Sequence, residues 1–173
     1  EAVFHPPSTL KCILLGGSVI PNSIKQYCIQ KKLPVYATYG LTEFSSQVGI
    51  RHMTTQESYR FLPHVDFSVS QDDTLLLKGD SLFSGYLTQS GINSTLDPNS
   101  FYDTLDVVDI MADNSFKVKG RLDNMFVSGG ENVHPEEIEQ VVMQYPTVSN
   151  AKVISIADER FGKVPVLFVS MTR

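Results

Sequence analysis

The sequence predicts an α/β protein, α+β taken over its whole length, built in three successive parts. Three observations carry this. The chain opens with an apolar run, a glycine turn, a helix-like stretch and a second apolar run, which is the unit of a parallel sheet. Short alternating strands separated by Asn- and Asp-rich turns fill the middle. A strand, a glycine turn, a helix and two long strand-like runs close it. The parts span residues 1–57 (the end of a parallel α/β sheet unit), 58–122 (a small β-rich, barrel-like subdomain) and 123–173 (the start of a small α+β domain).

Leu10 to Leu15 reads as a buried strand that stops at Gly16-Gly17. Pro21 marks the approach to a helix that Asn22 or Ser23 can cap, with Ile24, Tyr27 and Cys28 on one face. Pro34 breaks that helix. Val35, Tyr36 and Ala37 then form a second strand that ends at Tyr39-Gly40. Both glycine turns follow strands and fall at the carboxyl edge of the sheet, where open α/β sheets bind ligands. From about Phe61 the texture changes. Val65, Phe67 and Val69 alternate with polar residues, Gln71-Asp72-Asp73 is a turn, and Leu75 to Leu77 form another strand. Phe101-Tyr102, Val107-Val108 and Phe116 to Val118 continue the rhythm, separated by turns at Asp97-Pro98-Asn99 and Asp113-Asn114-Ser115. In the last part Met125 to Val127 leads through a glycine turn to a helix. Pro135 fits its first turn. Glu136, Glu137 and Glu139 lie near its positive end. Ile138, Val141, Val142 and Tyr145 share a face. Pro146 ends it, and Val148 to Ile156 and Val164 to Met171 read as strands.

With 42% hydrophobic and 19% charged residues among 173, the chain has material for a real core. Its 14 basic and 19 acidic residues give a net charge of −5, and no basic run supports nucleic-acid binding. No apolar run is long enough to span a membrane, and no signal-peptide pattern opens the chain. Cys12 and Cys28 read as two buried thiols of a reducing cytoplasm. The chain starts at Glu1 and stops just after a strand-like run, which points to a segment of a longer protein. A sheet cut from its neighbours leaves unpaired edges, so such a segment is expected to self-associate.

Two stretches carry the chemistry. The first is Tyr39-Gly40-Leu41-Thr42-Glu43. A hydroxyl and a hard carboxylate on one turn suit a phosphate and a Mg²⁺ ion, and Gly40 admits a close backbone approach. The same residues also read as a strand–loop with a capping Thr and a surface Glu. The second runs from Gly120-Arg121-Leu122-Asp123 to Ser128-Gly129-Gly130-Glu131-Asn132. It also reads as a hairpin before a capped helix. Between them, Thr104-Leu105-Asp106 offers a carboxylate with two acceptor oxygens. The four histidines show no metal-ligand spacing, and Gly162-Lys163 lacks the other parts of a phosphate loop.

In this order the stretches resemble the adenylate-forming enzymes: acyl- and aryl-CoA ligases, luciferases and peptide-synthetase adenylation domains. The resemblance runs from Gly16 to Val169. It implies ATP, Mg²⁺ and CoA as cofactor and substrates. It implies that Gly16, Gly17 and Ser18 lie against the adenine and acyl group, and that Tyr39 packs on the adenine. Gly40 belongs to the same nucleotide-binding turn, Thr42 contacts the α-phosphate, and Glu43 holds Mg²⁺. Asp106 accepts from both ribose hydroxyls, and Arg121 reaches the ribose or phosphate. Asp123 is then the hinge of a mobile C-terminal lid, whose loop Gly129-Gly130-Glu131 approaches the CoA channel. Leu105 stands where a glycine is common, and Tyr59 to Phe67 lacks the usual glycine-proline loop. The local wording is most similar to the o-succinylbenzoate–CoA ligases of menaquinone biosynthesis. Their dicarboxylate substrate makes Ser45, Ser46 and Gln47 possible donors to its spectator anion. The expected partners are small molecules: ATP, an aromatic carboxylate and CoA. A fatty-acyl or aryl-CoA ligase is the alternative substrate class, and a non-catalytic adenylate-binding module the alternative function. The family's phosphate-gripping loop would lie before Glu1 and its catalytic lysine after Arg173, so the chain alone is expected to adenylate negligibly.

Overall fold

The computed structural model describes residues 7, 9–18, 20–93 and 100–172. The first strand, β1 (Ile13–Leu15), leads through Gly16-Gly17 to helix α1 (Asn22–Gln30) and then to β2 (Val35–Tyr39). β1 and β2 pair in parallel, Ile13 opposite Val35 and Leu15 opposite Ala37, as the strand–helix–strand pattern predicts. A 3₁₀ turn over Thr42–Phe44 follows. The chain then returns as β3 (Gly49–His52), antiparallel to β2. Next come β4 (Tyr59–Phe61), β5 (Asp66–Val69), β6 (Thr74–Lys78), and a small hairpin of β7 (Tyr86–Thr88) and β8 (Gly91–Asn93). Two long strands, β9 (Tyr102–Ile110) and β10 (Ser115–Arg121), complete the middle part. All but the small hairpin join one eight-stranded sheet in the order β1-β2-β3-β4-β10-β9-β6-β5. Every pairing in it except β1–β2 is antiparallel.

The last part has its own two sheets. β11 (Phe126–Ser128) and β12 (Glu131–Val133) form a hairpin, helix α2 (Pro135–Val142) follows, and β13 (Val148–Asp158) pairs along its length with β14 (Gly162–Met171). Gly129 and Gly130 both have positive φ, 58° and 94°, the backbone of a two-residue hairpin turn that matches strand twist. α2 packs against β13 and against β10, which attaches this part to the large sheet. Among the described residues no helix is long and apolar enough to cross a membrane.

The main core gathers Phe44, Val48, Val65, Leu75, Leu77, Val108 and Phe116 on one side of the large sheet. Phe116 is fully buried. Its ring stacks on Phe61 at 4.3 Å and meets Tyr39 edge-on at 5.3 Å, while Phe61 stacks on Phe67 at 3.9 Å. This aromatic row crosses β5, β4, β10 and β2. Gly49 is required beneath it, because a Cβ there would lie 2.8 Å from the Phe116 ring. A smaller cluster of Cys28, Leu33, Val35 and Met53 seats α1 on the sheet.

Several sequence expectations need correction. Cys12 is exposed and precedes β1, and only Cys28 is buried. β1 is a three-residue terminal strand with Leu14 exposed, not a buried six-residue strand, since it has a neighbour on one side only. Neither Asn22 nor Ser23 caps α1. Asn22 is already helical, and Pro21 offers its carbonyl to Ile24 and Lys25. Ile24 and Tyr27 are exposed, because the short strand beneath leaves them uncovered and the helix seats through Cys28. Val141 and Tyr145 are exposed too, and Tyr145 lies beyond the end of α2. That helix starts at Pro135 as expected, yet no side chain caps it. Two expected strands, at Phe101-Tyr102 and Val107-Val108, are one strand, β9. The turn expected at Asp97-Pro98-Asn99 lies outside the described residues.

Phe116→Ala removes the residue that joins the aromatic row to the rest of the core. A buried Phe-to-Ala change costs about 3–5 kcal/mol. We expect a loss in that range in urea unfolding. A loss under about 1 kcal/mol would show that the row is not structural.

Candidate functional site

The carboxyl ends of β1 and β2 are tied together. Thr38 Oγ1 donates to the Leu15 carbonyl at 3.3 Å, and a Cβ on Gly16 would fall 2.0 Å from that same Oγ1. Gly16 is therefore fixed by packing. Gly17 is a glycine for another reason, its φ of 86°. Gly16, Gly17 and Ser18 are all exposed at the sheet edge.

The loop after β2 folds back on itself. Phe44 N and Ser46 N both donate to the Leu41 carbonyl, and Ser45 N to Thr42 O. A Cβ on Gly40 would sit 1.4 Å from the Ser46 carbonyl oxygen, so no other residue fits. The tight path puts Ser45 and Ser46 at φ 54° and 99°, strained for residues with a side chain. Buried Phe44 anchors the loop in the core and leaves Thr42 exposed and Glu43 half-buried on its outer side. Ser45 Oγ donates to the Ser81 carbonyl at 2.9 Å, which commits its proton within the protein. Phe83 N donates to the Glu43 carbonyl at 2.8 Å, and the Tyr86 hydroxyl donates to Glu43 Oε1 at 2.6 Å.

A second set converges beside this loop. The Tyr39 hydroxyl donates a hydrogen bond to Asp106 Oδ2. Arg121 approaches the other oxygen, Nη1 to Oδ1 at 3.5 Å, and also donates to the Thr104 carbonyl. The same guanidinium grips Asp123 with two parallel bonds, Nε–Oδ1 and Nη2–Oδ2, each 2.9 Å. Tyr39, Asp106, Arg121 and Asp123 thus form one continuous polar chain.

Local backbone geometry aims Asp106 inward. Leu105 has φ 59°, and the register of β9 on β6 slips between Thr74 and Leu76. Asp103 Oδ1 accepts from Leu105 N, and Thr104 Oγ1 accepts from Asp106 N while donating to the Leu75 carbonyl. Residue 105 is left-handed, the backbone region that glycine adopts most readily.

Burial, more than any neighbour, pushes the Asp106 carboxyl above the usual carboxylate range, against the pull of Tyr39 and Arg121. Burial and then the Asp106 charge raise the Tyr39 phenol, so it remains a donor. The fork with Asp123 raises Arg121 further and holds Asp123 below its ordinary value.

The structure therefore brings Tyr39, Gly40, Thr42, Glu43, Ser45, Ser46, Asp106, Arg121 and Asp123 to one region, next to Gly16 and Gly17. Gly129, Gly130 and Glu131 sit elsewhere, at the tip of the β11–β12 hairpin. Gly129 N donates to the Phe161 carbonyl, and the Phe161 ring lies where a Cβ would go. Sequence reading missed Tyr86, which stands 43 residues from its partner and carries no pattern of its own.

Comparison with known proteins bears on this geometry. No family model matches the chain. The 2-succinylbenzoate–CoA ligase of Bacillus cereus is 31% identical over 94% of the chain, and that of Bacillus mycoides 32% over the same share. The chain spans 37% of the length of these curated relatives. Among solved structures, o-succinylbenzoate CoA synthetase (MenE) from Bacillus subtilis with the acyl-adenylate intermediate OSB-AMP superposes with a TM-score of 0.81. It is 27% identical, and the match covers 97% of this chain and 38% of that one. Escherichia coli MenE, bound to an m-phenylether-linked analogue of OSB-AMS, gives 0.77 at 30% identity over 94% and 37%. By sequence and fold together, the chain is similar to the 2-succinylbenzoate–CoA ligases, and its fold is that of the corresponding part of the MenE structures.

Proposed function

We propose that this chain supplies the adenosine-binding and metal-binding edge, the hinge and the start of the lid of an o-succinylbenzoate–CoA ligase of menaquinone biosynthesis, acting in the cytoplasm. The observation that carries the reading is the Tyr39–Asp106–Arg121–Asp123 chain set beside the Thr42-Glu43 turn. The B. subtilis relative has been solved with ATP and magnesium ion, at 27% identity and a TM-score of 0.78, which supports the same ligands here. On this reading residues 1–57 belong to a large N-terminal domain, 58–122 to a β-rich subdomain and 123–173 to the lid.

In such a reaction a carboxylate oxygen attacks the α-phosphorus of ATP and pyrophosphate leaves. The CoA thiol then attacks the acyl carbon, and AMP leaves. Asp106, half-buried and oriented by Thr104, presents its carboxylate to the ribose hydroxyls. The ring of Tyr39, held edge-on by Phe116, lies against the adenine. Thr42 turns its hydroxyl toward the α-phosphate, and Gly40 lets the backbone come close. Arg121 neutralises Asp106 while its fork holds Asp123, so nucleotide and hinge share one cation. Gly129, Gly130 and Glu131 enter the CoA channel when the lid turns about Asp123. Ser46 and Gln47 remain as donors to the spectator carboxylate, since Ser45 is committed to Ser81.

The residues fit Mg²⁺. Among the described residues no three His, Cys, Asp or Glu side chains gather as a metal cage. Among the described residues Glu43 is a lone carboxylate, with Oε1 held by Tyr86 and no hydrogen bond on the other oxygen. That suits an ion which keeps waters and takes most of its ligands from phosphates. When bound, the ion neutralises charge on the phosphate oxygens.

The full-length protein, incubated with ATP, Mg²⁺, CoA and a panel of o-succinylbenzoate, benzoate and fatty acids, should give acyl-CoA from o-succinylbenzoate alone. Product from another acid would keep the mechanism and discard the substrate. No product and no pyrophosphate from any acid would overturn the reading. Glu43→Gln should slow pyrophosphate release by ~10²–10³-fold, the usual worth of one such electrostatic group. AMP affinity should also fall in acid. Because the Asp106 carboxyl is raised, it protonates as pH falls while an ordinary carboxylate still stays charged. Calorimetric titration of AMP should therefore show weakening that begins above the ordinary Asp range, and Asp106→Asn should remove that limb.

A further inference from the structure

The β7–β8 hairpin is the least integrated element of the middle part. Its six residues are exposed, and it pairs with no strand of the large sheet. Yet the segment that leads into it docks closely on the turn that carries Glu43. Phe83 N donates to Glu43 O, Ser45 Oγ donates to Ser81 O, and Gly79 is pressed against Phe44 and the His64 carbonyl. Tyr86 is the first residue of β7. Its ring packs edge-on against Phe83 at 4.8 Å, and Phe83 meets Tyr102 edge-on at 5.9 Å. An aromatic ladder thus runs from β9 to an exposed phenol, and that phenol ends on Glu43 Oε1.

We infer that Tyr86 is a positioning residue, which holds the Glu43 carboxylate in one rotamer with Oε1 occupied and Oε2 presented to the divalent cation that accompanies ATP. This rests on the proposed function, because it needs Glu43 to meet a cation.

The physical argument is preorganisation. A free glutamate has three side-chain torsions and loses that freedom when it binds an ion. Here the loss is met in advance, since a hydroxyl 2.6 Å from one oxygen removes most alternatives. A carboxylate has about four acceptor sites, so the phenol does not exclude a cation from the other oxygen. Phe83 and Tyr86 also bracket Glu43 through backbone and side chain together, which fixes both ends of the residue. The hairpin therefore has a task that its burial does not explain.

The test uses the full-length protein. Mn²⁺ binding in the presence of ATP is titrated by electron paramagnetic resonance, which needs no turnover. Tyr86→Phe keeps the ring on Phe83 and removes only the hydroxyl. It should weaken Mn²⁺ by roughly three- to tenfold, with metal-free ATP affinity unchanged. In a Glu43→Gln background the same change should have no further effect. Tyr86→Leu, which also removes the ring, should show at least the same loss, and thermal melts matching wild type confirm that the variants fold. Unchanged or tighter Mn²⁺ binding in Tyr86→Phe would overturn the inference, as would an equal loss in the Glu43→Gln background. If the wild-type protein binds no Mn²⁺ with ATP, the proposed function falls and this goes with it. If wild type binds and Tyr86 has no influence, only this inference falls.

Discussion

The contact on which most of the structure depends is the burial of Phe116 between Tyr39, Tyr59 and Phe61. Phe116 is the second residue of the long strand β10, which ends at Gly120-Arg121, just before Asp123. Its ring is the meeting point of residues from β2 and β4. Close stacking at 4.3 Å and 22° leaves no slack between β4 and β10, so the sheet register on either side is fixed together. Each such aromatic pair adds ~0.5–1.5 kcal/mol beyond its buried area. The functional consequence lies one residue further on. Tyr39 is both the last ring of the row and the first donor of the polar chain, so core packing sets where Asp106 is held.

The site itself is made of backbone that most residues resist. Gly40 is excluded from change by the Ser46 carbonyl, Leu105 is left-handed, and Ser45 and Ser46 both have positive φ. Non-glycine residues in such conformations cost ~1–3 kcal/mol each, and they persist only where the surroundings fix them. Here the surroundings are visible. Ser45 is pinned by Ser81, and Leu105 by the side chains of Asp103 and Thr104. The gain is placement. The left-handed residues at 45–46 close the turn that carries Glu43, and the one at 105 sits next to Asp106 in β9.

Much of this was legible in the sequence, for physical reasons that differ by residue. The β1–α1–β2 unit showed itself because apolar runs, Pro21 and Pro34 are strong local signals. Asp106 and Arg121 were found through short motifs, and their meeting follows from the β9–β10 pairing, in which Arg121 faces Asp106. What stayed hidden was long-range or edge-dependent. Cys12 and Leu14 have core-type side chains but lie at or before β1, which among the described residues pairs only with β2. Ile24 and Tyr27 have helical spacing on a face that this short edge does not cover. Tyr86 is one tyrosine among seven, and only the fold brings it to Glu43.

On the proposed function, Arg121 joins two requirements, the ribose-binding carboxylate and the hinge. Its fork on Asp123 is the better-made contact, two bonds at 2.9 Å against a single 3.5 Å approach to Asp106. Both carboxylates compete for one guanidinium, and Asp106 is the more buried of the two. A nucleotide that takes Asp106 into ribose hydrogen bonds would lessen its demand on Arg121. Rotation about Asp123 would break the fork and free the same cation for Asp106 or a phosphate. On the proposed function, the asymmetry of these distances matches a hinge held at Asp123 while Asp106 stays open to a ribose. Glu136 adds a contact across Asp123: Asn124 Nδ2 holds its Oε1 at 2.6 Å within the last part, and its other oxygen lies 2.7 Å from where a Cβ on Gly120 would be. With glycine at 120, α2 seats directly over the end of β10. A turn of residues 123–173 about Asp123 would break the fork of Arg121 on Asp123 and lift α2 off β10.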